Sequence, residues 1–331
     1  MLGKDCFETI SAGAISKVMP TCKGIIINVG EQKHIIENLY DMFFNADCKF
    51  FVTNCSLEKL PKVLKRCYNL GVPAIVNCGK NMIDRELIAI EGKYNATCVI
   101  PKSYDAKNNI VQKILDDNNI VNASFLAFQG YYFSPDNLLT INNKYFEQMR
   151  LGQLRDNISL CEPLLRDSEY FFVDFNSVRY SDFPCNVYSN PNGLYAEEMC
   201  QIARYIGFGQ KLKAIFLFGE PSLEDNSLIS NILTAQVIWH ICNGLITNSI
   251  ENPASNSKNT NFLKKIVQLD DNGENITFIN SLLTDRWWME IPSNSSNKSI
   301  LIPCSIDDYK TACKGEIPLR WLFFYQKHTI L

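Results

Sequence analysis

The sequence predicts an α/β fold with three layers (α/β/α), in which helices cover both faces of a central, mostly parallel sheet. Two features support this prediction. Short apolar runs such as residues 24–29 (GIIINV) are continuous rather than alternating, as in strands that are buried on both faces. Each run is followed by a stretch of helical length and pattern, and strands that alternate with helices at this spacing form parallel sheets.

The first half of the chain contains five strand patterns with helical patterns between them. The strands are predicted at residues 24–29, 49–53, 72–76, 96–100 and 122–128, and the helices at residues 34–44, 56–70, 82–92 and, largely, 144–165. The third strand runs into a polar segment that ends with Lys80 and Asn81, and the fourth runs into the loop at residues 101–107.

Residues 169–209 are the most informative stretch, because they combine a buried strand, a long polar loop and a helix. Residues 171–175 read FFVDF, with Asp174 inside an apolar run where an unpaired charge would be costly. A loop rich in Asn and Pro follows, and a helix is predicted at residues 195–206. In parallel α/β sheets, ligands bind in loops that follow the carboxyl ends of strands, so this loop is the first candidate for a functional site.

The rest of the chain contains one more core strand, a long helix and an appendage. The strand is predicted at residues 214–218 and the apolar helix at residues 227–245, and residues 247–260, rich in Asn and Ser, are predicted to be a surface linker. We therefore place one domain at residues 1–250 and a C-terminal extension at residues 251–331. The extension has strand patterns at residues 266–269, 276–279, 287–288 and 300–302, and a final helix pattern at residues 306–314. Trp287 and Trp288 are interpreted as packing or subunit-contact residues rather than as a ligand platform.

Charge and composition argue against several classes of function. The formal net charge is -3 and there is no long basic run, so nucleic acid is not a predicted partner. The N-terminus lacks the apolar core of a signal peptide and no stretch approaches the length of a membrane span, which predicts a cytoplasmic protein with no membrane partner. The 13 cysteines are scattered singly, without a Cys-x-x-Cys pair. This favours reduced core thiols, Cys78, Cys98 and Cys185 included, over nucleophiles or zinc ligands.

The stretch 169–209 also resembles a known family. Residues 173–176 read Val-Asp-Phe-Asn, Asp182 and Pro184 follow in the loop, and Gly193-Leu194 and Glu198 come next. This pattern resembles the ureohydrolase superfamily, which includes arginase, agmatinase and formimidoylglutamase. The match is closer still to a divergent formimidoylglutamase-like branch from Bacteroidetes, on the motifs at residues 192–193 (NG), 197–198 (EE), 200–205 (CQIARY), 285–290 (DRWWME) and 302–304 (IPC). The resemblance covers residues 67–326 and implies an arginase-like fold, a homo-oligomer and a small guanidino- or formimidoyl-type ligand.

The resemblance further implies a hydrolase in which two Mn²⁺ ions activate a bridging water. The family's metal ligands come from three motifs, Gly-Gly-Asp-His, Asp-Ala-His-x-Asp and Asp-x-Asp. In this chain they fall on residues 78–81 (CGKN), 101–105 (PKSYD) and 174–176 (DFN). Of the six ligand positions, Asp105 and Asp174 remain, and the other four are occupied by Asn81, Pro101, Ser103 and Asn176.

Two further positions bear on catalysis and metal binding. Glu220 is the candidate catalytic glutamate, but it lies one residue from the family's position, which falls on Gly219, and a shift of one residue turns a strand side chain to the opposite face. Only three histidines occur, His34, His240 and His328, and none follows a predicted strand. A site with two imidazole ligands is therefore not predicted, and two isolated carboxylates would hold Mn²⁺ or Mg²⁺ weakly. No cofactor is predicted, and Mn²⁺ is expected only if the family's site is retained.

The role of the two remaining carboxylates stays open. Asp105 and Asp174 are either remnants that hold one metal ion, or residues that cap local structure or pair with Lys102 or Arg179. We hypothesise that the ammonium groups of Lys80 and Lys102 replace the lost cations. Independently of these residues, Gly193 is predicted to supply a positive-φ turn before its helix.

Two classes of function follow. The first is a catalytically inactive ureohydrolase-like scaffold or binding protein with a degenerate dimanganese site. The second is an active hydrolase of a non-peptide C–N bond, in formimidoylglutamate, agmatine or arginine, with a site rebuilt around Asp105, Asp174 and Glu220. The count of retained ligands favours the first class, and fold resemblance alone does not decide between them.

Overall fold

The computed structural model describes most of the chain, and the chain divides into two compact units. The described residues are 2–17, 22–30, 33–45, 47–79, 88, 90–103, 110–219, 227–253, 261–269, 275–292 and 299–330. The units are Met1–Asn248 and Ser249–Leu331.

A nine-stranded sheet organises the first unit. Its strands are β1 (Phe7–Thr9), β2 (Cys22–Val29), β3 (Lys49–Cys55), β4 (Ala74–Asn77), β5 (Tyr94–Val99), β6 (Ile120–Phe128), β7 (Glu147–Arg150), β8 (Tyr170–Asp174) and β9 (Ala214–Phe218). They lie in the order β1-β3-β2-β4-β9-β8-β5-β6-β7, and every neighbouring pair is parallel. The seven strands predicted for this part of the chain are all present.

The sequence patterns do not predict β1 and β7, and these two strands form the two edges of the sheet. β7 reads EQMR and lies inside residues 144–165, so the prediction that this segment is largely helical is wrong at β7. Edge strands are short and polar in natural proteins because one side of each is unpaired. They therefore lack the continuous apolar run by which the inner strands are predicted.

Helices cover both faces of the sheet. Those described in the first unit are α1 (Gly3–Cys6), α2 (Lys33–Tyr40), α3 (Leu60–Leu70), α4 (Ile110–Asp116), α5 (Pro135–Asn143), α6 (Leu151–Asp156), α7 (Glu162–Leu165), α8 (Ala196–Gly207) and α9 (Leu228–Thr247). Val173 and Leu217 belong to a buried apolar layer that includes side chains of α2, α8 and α9. Phe172 and Phe216 belong to the opposite layer, with side chains of α3 and α4. These two layers confirm the predicted three-layer fold. Of the helix predicted at residues 82–92, residues 82–87 and 89 lie outside the described residues, and residues 90–92 are not helical.

Helix α9 is a core helix. Val237, Ile238 and Ile241 are among its buried residues. Among the described residues it is the one helix whose length and composition would also allow it to cross a membrane, which corrects the prediction that no stretch approaches that length. Burial among α2, α8 and the sheet accounts for its apolar sequence, because a helix that is apolar on all sides is typical of the core of a large domain.

The second unit is a small antiparallel sheet with two helices. Its strands are β10 (Phe262–Gln268), β11 (Asn275–Ser281), β12 (Trp287–Ile291) and β13 (Ile300–Cys304), and its helices are α10 (Ile306–Cys313) and α11 (Leu319–Ile330). The four predicted strands are present in chain order. The predicted final helix corresponds to α10, but α11 follows it. Trp287 stacks on Tyr309 with ring centres 4.7 Å apart, and Trp288 meets Phe262 edge-on at 5.9 Å, so both tryptophans pack inside this unit.

Candidate functional site

The candidate site lies at the carboxyl ends of the central strands. β4, β9, β8 and β5 are consecutive in the sheet and parallel, so the segments that follow them meet at one edge. The loop after β8 is described completely. Lys80, Asn81, Asp105 and Glu220 lie outside the described residues, whereas Ser103, Asp174 and Asn176 lie inside them.

Asp174 ends β8 and is 6% exposed. Its Oδ1 accepts two hydrogen bonds from Asn176, one from the backbone N–H at 2.9 Å and one from the side-chain amide at 2.7 Å. The carboxylate thereby caps the short 3₁₀ helix Phe175–Ser177. Capping is one of the roles expected for this residue from its sequence, and it satisfies a buried charge with local N–H donors.

Asn176 is held by partners at both ends of its amide. Its Nδ2 donates to Asp174, and its Oδ1 accepts from the backbone N–H of Val187 at 2.9 Å. Rotating the amide by half a turn would place oxygen against oxygen and N–H against N–H, so these two contacts fix its orientation. The buried amide of Asn186 continues the network by donating to the carbonyl groups of Asn176 at 3.0 Å and Val178 at 2.7 Å.

Gly219 closes this network from the neighbouring strand. The register of β8 and β9 pairs Asp174 with Phe218, so Gly219, the residue after β9, lies at the same edge. Gly219 has a φ of +78°, and a Cβ built on it would lie 2.6 Å from Asn176 Nδ2 and 2.8 Å from Asp174 Oδ1. Its N–H donates to the carbonyl oxygen of Gly79 at 3.0 Å. The position therefore needs glycine for its backbone conformation and for its close contacts.

Ser103 and Lys102 make their described contacts with other loops. The hydroxyl oxygen of Ser103 accepts from Ser134 N–H at 2.8 Å, and its own N–H donates to the carbonyl oxygen of Tyr132 at 3.2 Å. The Lys102 ammonium lies 3.3 Å from the centre of the Tyr188 ring, in a cation–π contact. The structure thus brings together Asp174, Asn176 and Gly219, while Ser103 anchors the loop that follows β6.

The ion pair of Arg179 is formed with Asp182, at 2.8 Å. Asp182 also accepts hydrogen bonds from Ala196 N–H at 3.0 Å and from the Ser181 hydroxyl at 2.9 Å. Partial burial raises the pKa of Asp182, but these hydrogen bonds, Arg179's first, outweigh it and hold the pKa below its ordinary value. Asp182 therefore ties the site loop to the first turn of α8.

The end of the loop is fixed by backbone contact rather than by a positive-φ turn. Gly193 is not among the residues with positive φ, so that prediction is wrong. A Cβ on Gly193 would lie 2.6 Å from the carbonyl oxygen of Ser177 and 2.5 Å from the nitrogen of Arg179. Leu194 N–H donates to the same Ser177 oxygen at 2.7 Å. Glycine is required here because two stretches of one loop come into backbone contact.

Aromatic and charged side chains cover the join between the loop and α8. The guanidinium groups of Arg155 and Arg179 each lie over the Tyr195 ring, 4.2 Å from its centre. Glu198 accepts from Tyr195 N–H at 2.8 Å and lies 3.4 Å from Arg155. The motif residues Gly193, Leu194 and Glu198 thus have structural roles in this chain.

A row of three asparagines at the same edge is absent from the sequence predictions. Asn77 Nδ2 donates to Asn28 Oδ1 at 2.7 Å, and Asn28 Nδ2 donates to Asn54 Oδ1 at 3.0 Å. These residues lie on β4, β2 and β3, and their register pairs them across the sheet. A signal was available, because Asn28 lies within the first predicted strand and Asn54 and Asn77 directly follow the second and third.

The described residues do not fit a manganese centre. A divalent ion needs the free lone pairs of several carboxylates or imidazoles, but the Asp174 Oδ1 already accepts two N–H groups of Asn176. In the part of the chain that the structure describes, no group of three or more His, Cys, Asp or Glu side chains could hold a metal ion. Cys78 and Cys98 are fully buried, and burial raises the pKa of Cys98, which disfavours a thiolate nucleophile there.

Comparison with known proteins supports the fold. No protein-family model matches the chain, and no curated protein matches it. Among solved structures, the chain is similar to a formiminoglutamase of Trypanosoma cruzi with Mn²⁺, with a TM-score of 0.61, 14% identity, and coverage of 72% of this chain and 99% of that one. It is also similar to the formimidoylglutamase of Bacillus subtilis, with a TM-score of 0.59, 13% identity, and coverage of 75% and 93%. A third similar structure is the agmatine ureohydrolase of Thermoplasma volcanium, with a TM-score of 0.53, 12% identity, and coverage of 68% and 90%.

The parallel sheet with helices on both faces places the chain in the three-layer α/β class. Within that class it has the fold of the arginase and ureohydrolase superfamily. At these identities the comparisons speak for the fold, and the chemistry has to be argued from the site.

Proposed function

We propose that this protein is a ureohydrolase-like scaffold with a degenerate metal site, which binds a small ligand at the carboxyl edge of its sheet without catalysing metal-dependent hydrolysis. The observation that carries this proposal is the hydrogen bond from the Asn176 amide to Asp174 Oδ1 at 2.7 Å. In an Asp-x-Asp pair, two carboxylates at this distance would repel each other unless a cation lay between them. Here an amide N–H takes the place of that cation.

The surroundings of this hydrogen bond support the same conclusion. Asp174 and Asn176 are 6% and 7% exposed. Their side chains lie so close to Gly219 that no larger residue fits at position 219. The backbone carbonyl oxygen of Asn176 accepts from the side-chain amide of Asn186, and Asn176 Oδ1 accepts from the backbone N–H of Val187. Hydrogen bonds within the chain therefore organise the loop that metal ions would organise in a hydrolase.

The ligand that we propose is a small guanidino- or formimidoyl-type molecule. Its cationic group would meet the buried carboxylate and amide oxygens at the ends of the central strands. The resemblance to ureohydrolases and their fold supports this chemical class. We also propose that the chain forms a homo-oligomer in the cytoplasm, which light scattering of the purified protein and fractionation of cells would test.

Metal content and hydrolysis, measured together, test the proposal. The protein is purified without chelators, incubated with excess Mn²⁺, dialysed and assayed for manganese and for hydrolysis of formimidoylglutamate, agmatine and arginine. We expect far less than one Mn²⁺ per chain and no hydrolysis above background. The formimidoylglutamase of Bacillus subtilis, treated in parallel, is the control for loading and assay.

The opposite result would support the alternative of an active C–N hydrolase. About two Mn²⁺ per chain, together with hydrolysis, would assign the chemistry to Asp105, Asp174 and Glu220 and overturn the proposal. Ligand binding is tested separately by the shift in melting temperature with agmatine or arginine. If neither compound shifts the melting temperature, the proposed ligand class is wrong.

A further inference from the structure

A second concave surface lies between α8 and α9. It encloses about 760 Å³, and its lining includes Glu197, Gln201, Arg204 and Tyr205 from α8 and Gln236 and His240 from α9. None of these side chains takes part in the Asp174 network. The volume is that of a site for a small molecule.

Two glycines account for the shape of this groove. A Cβ on Gly207 would lie 2.4 Å from the carbonyl oxygen of Ile241, and one on Gly244 would lie 2.5 Å from that of Arg204. The helix backbones therefore touch at this crossing. Gln236 and His240 lie about two turns and one turn before Gly244 on α9, so the groove is built from side chains that precede the crossing.

The groove carries one cation and one anion, at separate positions. Arg204 and Glu197 are exposed and lie seven residues apart on α8, which places them on the same face with about 10 Å of rise between them. In the described part of the chain, Arg204 forms no ion pair, and its guanidinium stacks on Phe208 at 5.6 Å. The amide groups of Gln201 and Gln236 add neutral donors and acceptors to the wall.

His240 lines the same wall and is partly exposed. Its Nδ1 is buried and has no hydrogen-bond partner among the described residues. Its ring meets Trp239 edge-on at 4.9 Å. Burial and then the charge of Arg204 lower the pKa of His240. The other titratable lining groups are Glu197, Cys200 and Tyr205.

We propose that this groove binds a small dipolar carboxylate, with the carboxylate between Arg204 and His240 and a cationic group directed toward Glu197. Arg204 offers a planar pair of N–H donors that suits a carboxylate, and a carboxylate beside the partly exposed His240 ring would favour the protonated form of the imidazole. The carboxylate of Glu197 would repel a second negative charge at the other end of the ligand. This site is independent of the proposed function, since it shares no residue with the carboxyl edge of the sheet.

Two probes of equal chain length test this assignment. ε-Aminocaproate carries a carboxylate and an ammonium group, whereas adipate carries a carboxylate at each end. Binding is followed by NMR of the histidine side chains, and His240→Gln identifies the His240 signal among the three histidines. We expect ε-aminocaproate to raise the pKa of His240 and to bind a few times more tightly than adipate.

Substitutions in the groove test separately the contacts proposed for the two ends of the ligand. Arg204→Gln should weaken binding of ε-aminocaproate by at least about tenfold, while Arg204→Lys keeps the charge and should weaken it less. Glu197→Gln should remove the preference over adipate. Arg66→Gln is the matched control, because Arg66 is exposed, bonds to the Ala12 carbonyl oxygen and lies outside the groove.

The proposal is overturned if the folded wild-type protein shows no ε-aminocaproate-dependent change in the His240 signal. It is also overturned if Arg204→Gln, with an unchanged melting temperature, binds as tightly as the wild type. If both probes bind equally, the proposed contacts of the carboxylate stand, but the proposed role of Glu197 is overturned.

Discussion

The first unit contains two polar regions that differ in how their buried atoms are paired. Asp174, Asn176 and Asn186 are paired with groups of one loop and Gly219 packs against them, although the Ser177 hydroxyl in that loop has no partner among the described residues. In the groove between α8 and α9, His240 Nδ1 is buried and no described residue meets it. Buried polar atoms are almost always paired. The chain itself supplies the partners of Asp174 and Asn176, whereas no described residue supplies one for His240 Nδ1.

Gly219→Ala should cause the largest loss of stability, because the added Cβ would disrupt the packing of residue 219 against the Asp174 network. The Cβ would lie within 2.8 Å of both Asp174 Oδ1 and Asn176 Nδ2, and the φ of +78° adds backbone strain. We expect a loss of about 3 to 4 kcal/mol in the free energy of unfolding, measured by urea titration. Gly71→Ala is the control, since Gly71 has a φ of +65° with nothing within 4 Å, and should lose only about 1 kcal/mol. Equal losses for the two variants would mean that the network does not constrain Gly219.

The second effect should come from Asn176→Asp, which restores the family's Asp-x-Asp pattern. The new carboxylate would replace an N–H donor 2.7 Å from Asp174 Oδ1 with an oxygen of like charge. We expect a loss of about 2 kcal/mol or more at pH 7. Protonation of either carboxyl group relieves the repulsion, so the loss should shrink as the pH falls toward about 4.

Asn190→Asp is the control for this change. Asn190 is buried, and its Oδ1 accepts from Asn192 N–H at 3.2 Å, so a carboxylate can take over the same bond. This variant also introduces a buried charge but without the Asp174 contact, so it should lose clearly less stability than Asn176→Asp. If the two variants lose equal stability without added metal, the amide does not replace a cation at Asp174.

The sequence predicts the centre of this fold better than its edges. Seven continuous apolar runs identify seven inner strands, but β7 (EQMR) has no such run and is assigned to a helix. Helix α5 is likewise absent from the predictions. Its sequence, PDNLLTINN, contains only one buried residue, Ile141, so it has no apolar stripe by which to be found.

Within the candidate site, local relations are predictable and distant ones are not. The cap on Asp174 follows from residues two positions apart, and capping was among its expected roles. The reason for glycine at 193 was predicted wrongly, because the backbone that approaches it belongs to Ser177 and Arg179. Gly219 meets Asp174 only through the register of β8 and β9, which no sequence pattern states.

Asp182→Asn should have a smaller effect, since it loosens the loop without entering the Asp174 network. It removes the charge that Arg179 and Ala196 N–H contact at 2.8 Å and 3.0 Å. We expect a loss of about 1 kcal/mol at pH 7. Because the pKa of Asp182 is lowered in the folded state, this stability is present above the unfolded pKa of about 4 and is lost as the pH falls through the folded pKa.

The difference between Asp182→Asn and the wild type should therefore vanish near pH 2, as followed by the pH dependence of unfolding. Asp307→Asn is the control, because Asp307 pairs with Lys310 at 3.5 Å on an exposed surface. It should change stability by less than about 0.5 kcal/mol at any pH. A difference for Asp182→Asn that persists unchanged at low pH would show that the carboxylate charge is not what ties the loop to α8.

His240→Phe should cause the smallest change in the free energy of unfolding. It is also the most direct test of whether the two regions differ. Phenylalanine keeps an aromatic ring against Trp239 and removes the unmet Nδ1. In the absence of ligand, its free energy of unfolding at pH 8 should lie between that of the wild type and about 1 kcal/mol above it. The pKa of His240 is lower in the folded state than in the unfolded state, so the wild type loses stability as the pH falls below about 6.5. The phenylalanine variant lacks this loss, and its advantage should grow between pH 8 and pH 5. A clear destabilisation at pH 8 would mean that His240 is already paired in the free protein, and the groove would then be as self-contained as the Asp174 network.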